Sequence, residues 1–298
     1  MEGISVAIIF VVSIGICLNA IFTITIFIRP LQNYVATVLL GNQSIFDGLA
    51  CLMTLLNTLI PSYMVSSNGS LYDVLGCHIW GSKYLYLLFI MASVQNIVCI
   101  TIDRYIAVLR PSTYRSSKKK FLISTSIYII LMSIIIPLPA LCFMKISNNT
   151  CIVSNIYPGI EFKNFLLWCA IIWTFSIYIG PVLFLSIAYW RIIRKLKKSV
   201  MPDLNDIDKE KLKGTHQLTI SVFIATVIFI CTFTFDNICY ILSQFDIVEY
   251  TPGGVKEKIG LFIVTINSVL SPLSYFCFMK SFRVRFYSLF ICKNKKNF

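Results

Sequence analysis

Seven apolar stretches, each long enough to cross a bilayer as a helix, divide this chain: about 4–28, 35–62, 79–108, 121–144, 164–192, 216–243 and 258–279. A hydrocarbon core about 30 Å thick needs about 20 residues at a helical rise of about 1.5 Å. No water reaches that core to satisfy backbone N–H and C=O groups, so a spanning segment must be a helix or part of a closed barrel. Composition agrees: 57% of the 298 residues are hydrophobic and only 13% are charged, against about 25% charged in soluble domains. The expected fold is an all-α membrane protein, one seven-helix bundle over residues 1–298, with loops too short for a second domain. The first apolar run reads as a span rather than a leader, because Met1–Val12 lacks a basic leading region.

The net charge of +13 reads as topology rather than as a nucleic-acid signal. Of the 26 Lys and Arg, all but Lys83, Lys145, Lys163, Lys256 and Lys258 fall on one side of the spans. The positive-inside rule puts the rich side in the cytoplasm, with the N-terminus outside and the C-terminus inside. Asn68 and Asn148 then head outer-loop sequons and are glycosylation candidates. Of eleven cysteines, only Cys77 and Cys151 lie in short polar outer loops. They are either a bridge, in a compartment that permits one, or two free thiols.

Polar groups inside spans mark sites, because an ionisable side chain at bilayer depth is costly. Asp47 sits in the second span, with Asn19, Ser93, Asn267, Ser268 and Ser271 as candidate neighbours. That oxygen-rich set suits a hard cation such as sodium or a water cluster; a protonated Asp47 in a plain hydrogen-bond network is the alternative. Asp236 lies toward the outer half of the sixth span. It either meets a cationic or hydrogen-bonding ligand group, or is solvated or paired with Lys83 or Lys256. Pro272 frees a backbone carbonyl in the seventh span, which nearby Ser and Asn side chains can satisfy. Beyond it, Phe282, Phe286 and Leu289–Phe290 share one helical face, which predicts a short amphipathic helix over about 281–291 on the inner leaflet. Cys292, beside Lys293, Lys295 and Lys296, is a palmitoylation candidate or an unmodified thiol.

The third span ends in Asp103-Arg104-Tyr105, an acid and a base side by side at the membrane edge. Alone, the pair is equally a polar helix end. The run Ser93–Pro111 is more specific and resembles the third helix of rhodopsin-like (class A) G protein-coupled receptors. The likeness extends over nearly the whole chain, through Gly15 and Asn19, Asp47, Cys77 with Trp80 and Cys151, Ser93, Pro181, Tyr189, Pro272 with Tyr275, and Phe282-Arg283. The resemblance implies a receptor, not an enzyme, that binds an extracellular ligand, activates a heterotrimeric G protein and sits in the plasma membrane among lipids. It implies that Arg104 is held by Asp103 at rest and turns toward Tyr189 and Tyr275 when the sixth helix swings out. Val94, Pro181, Phe229 and Phe233 match its packing switch. Asp47, Ser93, Asn267, Ser268 and Ser271 match its sodium site, the sole cofactor expected.

The chain also departs from that family pattern. Phe233 and Phe235 stand where a tryptophan and a proline are usual, and Ser271 where an asparagine is. Trp80 is two residues farther from Asp103 than in typical members. No acid at the inner end of the sixth span can clamp Arg104; Thr215 and His216 stand there. Tyr86 occupies the place of the monoamine-binding aspartate, and Thr265 that of the retinal lysine. The ligand expectation is a peptide ahead of a small polar or lipid molecule, with Tyr84, Tyr86, Asp236 and Gln244 near the mouth. A non-coupling scaffold and a transporter are the competing functions, the latter disfavoured by the lack of repeats and of paired intramembrane charges.

Overall fold

The computed structural model describes residues 2–31, 33–60, 74–147, 150–153, 160–198, 206–250 and 254–290. Among the described residues, seven helices are long and apolar enough to span a membrane. The first four are α1 (Glu2–Ile28), α2 (Tyr34–Leu59), α3 (Tyr84–Leu109) and α4 (Pro111–Ile135). The fifth span runs from α5 (Ile160–Thr174) through a π turn (Phe175–Ile179) into α6 (Gly180–Lys198). The sixth and seventh are α7 (Asp206–Ser243) and α8 (Val255–Phe278), followed by α9 (Lys280–Phe290) at the expected surface-helix position. The sequons at Asn68 and Asn148, and Cys292, lie outside the described residues.

The bundle keeps an apolar core with polar groups set into it, and its outer surface is apolar as well, unlike that of a soluble protein. Asp47, Ser93, Asn96, Asp103 and Arg104 are buried, while Trp168 (64% exposed) and Leu183 (57%) face outward. In lipid an apolar exterior costs nothing, and association relies on close packing and interhelical hydrogen bonds. Close packing is seen at Gly41, where an added Cβ would lie 2.4 Å from the Phe27 ring.

Two prolines shape the spans. Pro181 lacks an N–H and leaves the carbonyl four residues earlier without its helical donor. The chain responds with the π turn just before it, in which Gly180 N–H reaches back to Phe175 O. A Cβ at Gly180 would lie 2.9 Å from that same oxygen, so the glycine permits the wide turn. In α8, Pro272 frees Ser268 O, and Asn19 Nδ2 of α1 donates to it at 2.9 Å. Asn19→Leu should therefore cost about 1–3 kcal/mol through the orphaned carbonyl. A fluorescence melt of the detergent-purified protein checks this; an unchanged midpoint would remove the assigned role of Asn19.

The top of the third span explains the displaced Trp80. Gly76–Gly81 is a π-helical turn, and Lys83 takes a left-handed conformation, φ 56° and ψ 28°, before α3 begins at Tyr84. The two extra residues are absorbed there, and the register from Tyr84 to Asp103 is regular helix. A disulfide joins Cys77 to Cys151 in β2 (Thr150–Val153), which pairs antiparallel with β1 (Met144–Ser147). Gly81 allows the approach: a Cβ there would lie 2.7 Å from Cys151 Sγ.

Candidate functional site

The functional residues fall at three levels along the third span. At its C-terminal end, Asp103 and Arg104 are 1% and 2% exposed. Arg104 Nε donates to Asp103 Oδ2 at 2.9 Å, and Nη2 closes on the same oxygen. The other carboxylate oxygen, Oδ1, accepts the Tyr114 hydroxyl at 2.7 Å, and Asn33 Nδ2 donates to Tyr114 Oη at 2.7 Å. Asp103 is thus tied to the first turn of α4 and, through Tyr114, to Asn33 at the N-terminal cap of α2. Tyr114 lies ahead of the apolar part of α4. Burial and the Asp103 charge push its phenol up to about 12, so it remains a donor at neutral pH. The sequence did not single out Tyr114 or Asn33. Both lie outside the apolar runs, and only the fold brings them to Asp103.

Tyr189 and Tyr275 are buried nearby, 3% and 1% exposed, but neither bonds Arg104 here. Tyr189 Oη accepts from Thr101 at 3.5 Å, with its ring edge-on to Phe223. Tyr275 packs against Phe22, which also stacks on Phe282 of α9 at 4.4 Å. Tyr105 accepts from Arg191 Nη1 at 3.0 Å. No residue of α7 forms an ion pair with Arg104 among the described residues.

In the middle, Asp47 is fully buried. Ser93 Oγ donates to Oδ1 at 2.6 Å, and Gln43 Nε2 donates to Oδ2 at 3.1 Å. Gln43 Nε2 also meets Ser93 Oγ at 2.7 Å, while Gln43 Oε1 accepts from Asn96 Nδ2 at 2.9 Å. Asn96 Nδ2 donates to Leu39 O. A carbonyl only accepts, so that bond fixes the Asn96 amide and, through it, the Gln43 amide with its NH₂ toward the carboxylate. Gln43 stands four residues before Asp47, on the same helical face, and that spacing was the missed signal. Among the described residues Asp47 has no hydrogen bond to Asn267, Ser268 or Ser271; Ser271 Oγ bonds Asn267 O of its own helix. The carboxylate faces a hydroxyl and an amide donor rather than convergent oxygens. Asn19 Oδ1, Ser44 Oγ, Asn96 Oδ1 and Asn267 Oδ1 are buried without partners. Above this level Phe229 and Phe233 meet at 4.7 Å between centroids, with Val94 and Pro181 also buried.

At the N-terminal end of α3, a cavity of ≈ 250 Å³ opens between spans three to seven. Tyr86 and Asp236 line it, as expected; Tyr84 and Gln244 do not. Tyr84 starts the helix two residues before Tyr86, which turns it to the other side, where its hydroxyl donates to Ile134 O of α4 at 3.0 Å. Gln244 lies past the end of α7 and bonds Ser243. The pairing of Asp236 with Lys83 or Lys256 is also corrected. Lys83 Nζ meets Glu257 Oε1 at 2.7 Å, and Asp236 Oδ1 accepts the Tyr250 hydroxyl at 2.6 Å. Burial and the Asp236 charge raise the Tyr250 phenol, keeping it a donor.

The family model described as 7 transmembrane receptor (rhodopsin family) matches residues 18–275. The chain is similar to Proteinase-activated receptor 2 of Rattus norvegicus, 22% identical over 297 residues, covering 94% of this chain and 70% of that receptor. It is also similar to the same receptor of Mus musculus, 23% identical and covering 94% and 69%. The receptor of Homo sapiens is 23% identical, covering 94% and 70%.

Proposed function

This chain belongs to the rhodopsin family of seven-transmembrane receptors, and from that premise we propose how it signals: a ligand at the Asp236 end of the bundle opens the Arg104 end to a heterotrimeric G protein. It is a G protein-coupled receptor of the plasma membrane and not an enzyme; its partners are an extracellular ligand and a G protein. The distribution of Lys and Arg supports an extracellular N-terminus and a cytoplasmic C-terminus. The apolar outer surface, with Trp168 and Leu183 exposed, supports direct contact with lipid. Tyr86 and Thr265, in place of the monoamine aspartate and the retinal lysine, support a peptide ligand over those two classes.

The observation that carries the mechanism is the buried Asp103–Arg104 pair with its Tyr114–Asn33 clamp. Among the described residues Arg104 is held by its neighbour alone, and that neighbour is held by Tyr114 of α4, which Asn33 at the cap of α2 holds in turn. An outer ligand can bias this two-state element only by binding one state more tightly. Between Ile90 at the cavity and Arg104 the third span runs about 21 Å at a rise of about 1.5 Å per residue. The layers between are the Phe229–Phe233 contact and the Asp47 network. We read that network as capped by Gln43 rather than by sodium. Exchanging sodium for potassium at constant ionic strength should then leave basal nucleotide exchange unchanged, and a strong sodium dependence would contradict the reading.

Tyr114→Phe tests the clamp. It deletes a hydrogen bond to a charged group, about 1.5–3 kcal/mol, from the closed state only. Ligand-independent GTPγS binding by receptor in lipid nanodiscs should rise several-fold over wild type at equal receptor density. Basal activity at or below wild type would sink the assigned role.

A further inference from the structure

Among the described residues, the cavity at the head of the third span holds three charged side chains, Lys83, Asp236 and Glu257. Lys83 and Glu257 pair at 2.7 Å and offset each other. Asp236 is the charge left over. Its described hydrogen-bond partner is the neutral Tyr250 hydroxyl on Oδ1, and among the described residues Oδ2 accepts no bond. The carboxylate is pressed against α8 where the side chain is absent: a Cβ at Gly260 would lie 2.1 Å from Asp236 Oδ1. Tyr86, Trp173, Phe233, Tyr240 and Tyr250 line the same cavity.

One uncompensated carboxylate among five aromatic rings is a recognition chemistry. Ring faces attract cations, Trp most strongly, and by more when the cation is desolvated. A carboxylate taken from water without a counter-charge is costly. An anionic ligand would meet repulsion, and a neutral donor would leave the charge unbalanced. A hard metal ion would lack the ring of oxygens that it needs. We propose that this cavity takes a single organic cation, an ammonium or a guanidinium, with Asp236 as its counter-ion and the aromatic rings as its cage. The proposal rests on the receptor reading and names the ligand class of that site. At ≈ 250 Å³ the cavity is below the roughly 300 Å³ at which drug-sized pockets begin. It holds the cationic head and the part next to it, and the remainder of a larger ligand lies outside. A free small amine and a basic side chain or amino terminus of a peptide share this chemistry.

The test uses purified full-length receptor in detergent and four probes: phenylguanidine, its neutral counterpart phenylurea, and N-acetylated arginine amide with its neutral citrulline counterpart. Binding is read by saturation-transfer NMR and by thermal shift. Both charged probes should bind more tightly than their neutral counterparts, and Asp236→Asn should weaken the charged probes by at least about 10-fold. Tighter binding of phenylguanidine points to a small-molecule source, tighter binding of the arginine amide to a peptide, and both outcomes support the proposal. Equal binding of charged and neutral probes to wild type, or no binding, overturns it without reference to any variant. Arg104→Ala should leave probe binding intact. Charge-selective binding with no G protein response would thus count against the coupling reading alone. Arg104-dependent exchange with no charge selectivity would count against this proposal alone.

Discussion

Receptor carrying Arg104→Ala is expected to reach the cell surface and to give no nucleotide exchange above background, with or without ligand. Arg104 is buried and turned onto Asp103, so it contributes little to surface recognition in the closed state. On the proposed mechanism its role begins when this end of the bundle opens and the guanidinium is released from the carboxylate. Deleting it removes that group and leaves Asp103 held by Tyr114 alone. Removing one member of a buried pair costs about 3–5 kcal/mol when nothing else compensates; here the remaining Tyr114 bond and the helix-end position reduce that cost, so folding survives. Arg104→Lys keeps the charge but loses the planar fork, and intermediate exchange is expected. Flow cytometry fixes the surface density, and GTPγS binding in membranes gives the exchange rate. Undiminished exchange by the alanine variant would show that coupling runs through other residues.

Cys77→Ser should lower surface expression sharply and abolish the response to any ligand at the Asp236 cavity. The bridge to Cys151 closes a separation of 74 residues. Losing such a bond typically costs about 2–5 kcal/mol. It also anchors the β1–β2 hairpin to the turn that precedes α3, so its loss frees the cavity rim as well. Cys151→Ser should match Cys77→Ser, and the double variant should be no worse than either, because one bond is removed in all three. Surface-to-total ratios of tagged receptor distinguish this from two independent thiols, for which the losses would add. Single variants at wild-type surface levels would end the argument.

What the sequence revealed and what it withheld divide along physical lines. Hydrophobic length located every span, because the bilayer imposes it, though α4 starts at Pro111 rather than near 121 and α7 at Asp206 rather than near 216. Those ends are polar, and apolar content cannot mark where a helix continues into water. The Asp103–Arg104 pair, the Ser93–Asp47 contact and the Cys77–Cys151 bridge were legible because each is carried by residue types with few alternative uses in a span or an outer loop. That Pro272 frees a carbonyl followed from the backbone chemistry of proline, but its partner did not: Asn19, read as a neighbour of Asp47, bonds Ser268 O instead. Tyr114, Asn33 and Tyr250 were not legible: each is an ordinary polar residue whose importance comes from a partner on another helix. Tyr84 illustrates the converse. Two residues of helix rotate a side chain by about 200° at about 3.6 residues per turn, so Tyr86 faces the cavity and Tyr84 faces α4. Gln43 lay within reach of sequence reasoning through its four-residue spacing from Asp47.

On the proposed mechanism the Asp103–Arg104–Tyr114 cluster is a two-state clamp governing the His216 end of the sixth span. The distance between spin labels introduced as unnatural amino acids at Lys119 and His216, measured by pulsed electron resonance in nanodiscs, tests it most directly. In wild type the account predicts one dominant short distance. With Tyr114→Phe, or with nucleotide-free G protein added, it predicts growth of a second, longer population. A single distribution unchanged by both would contradict it.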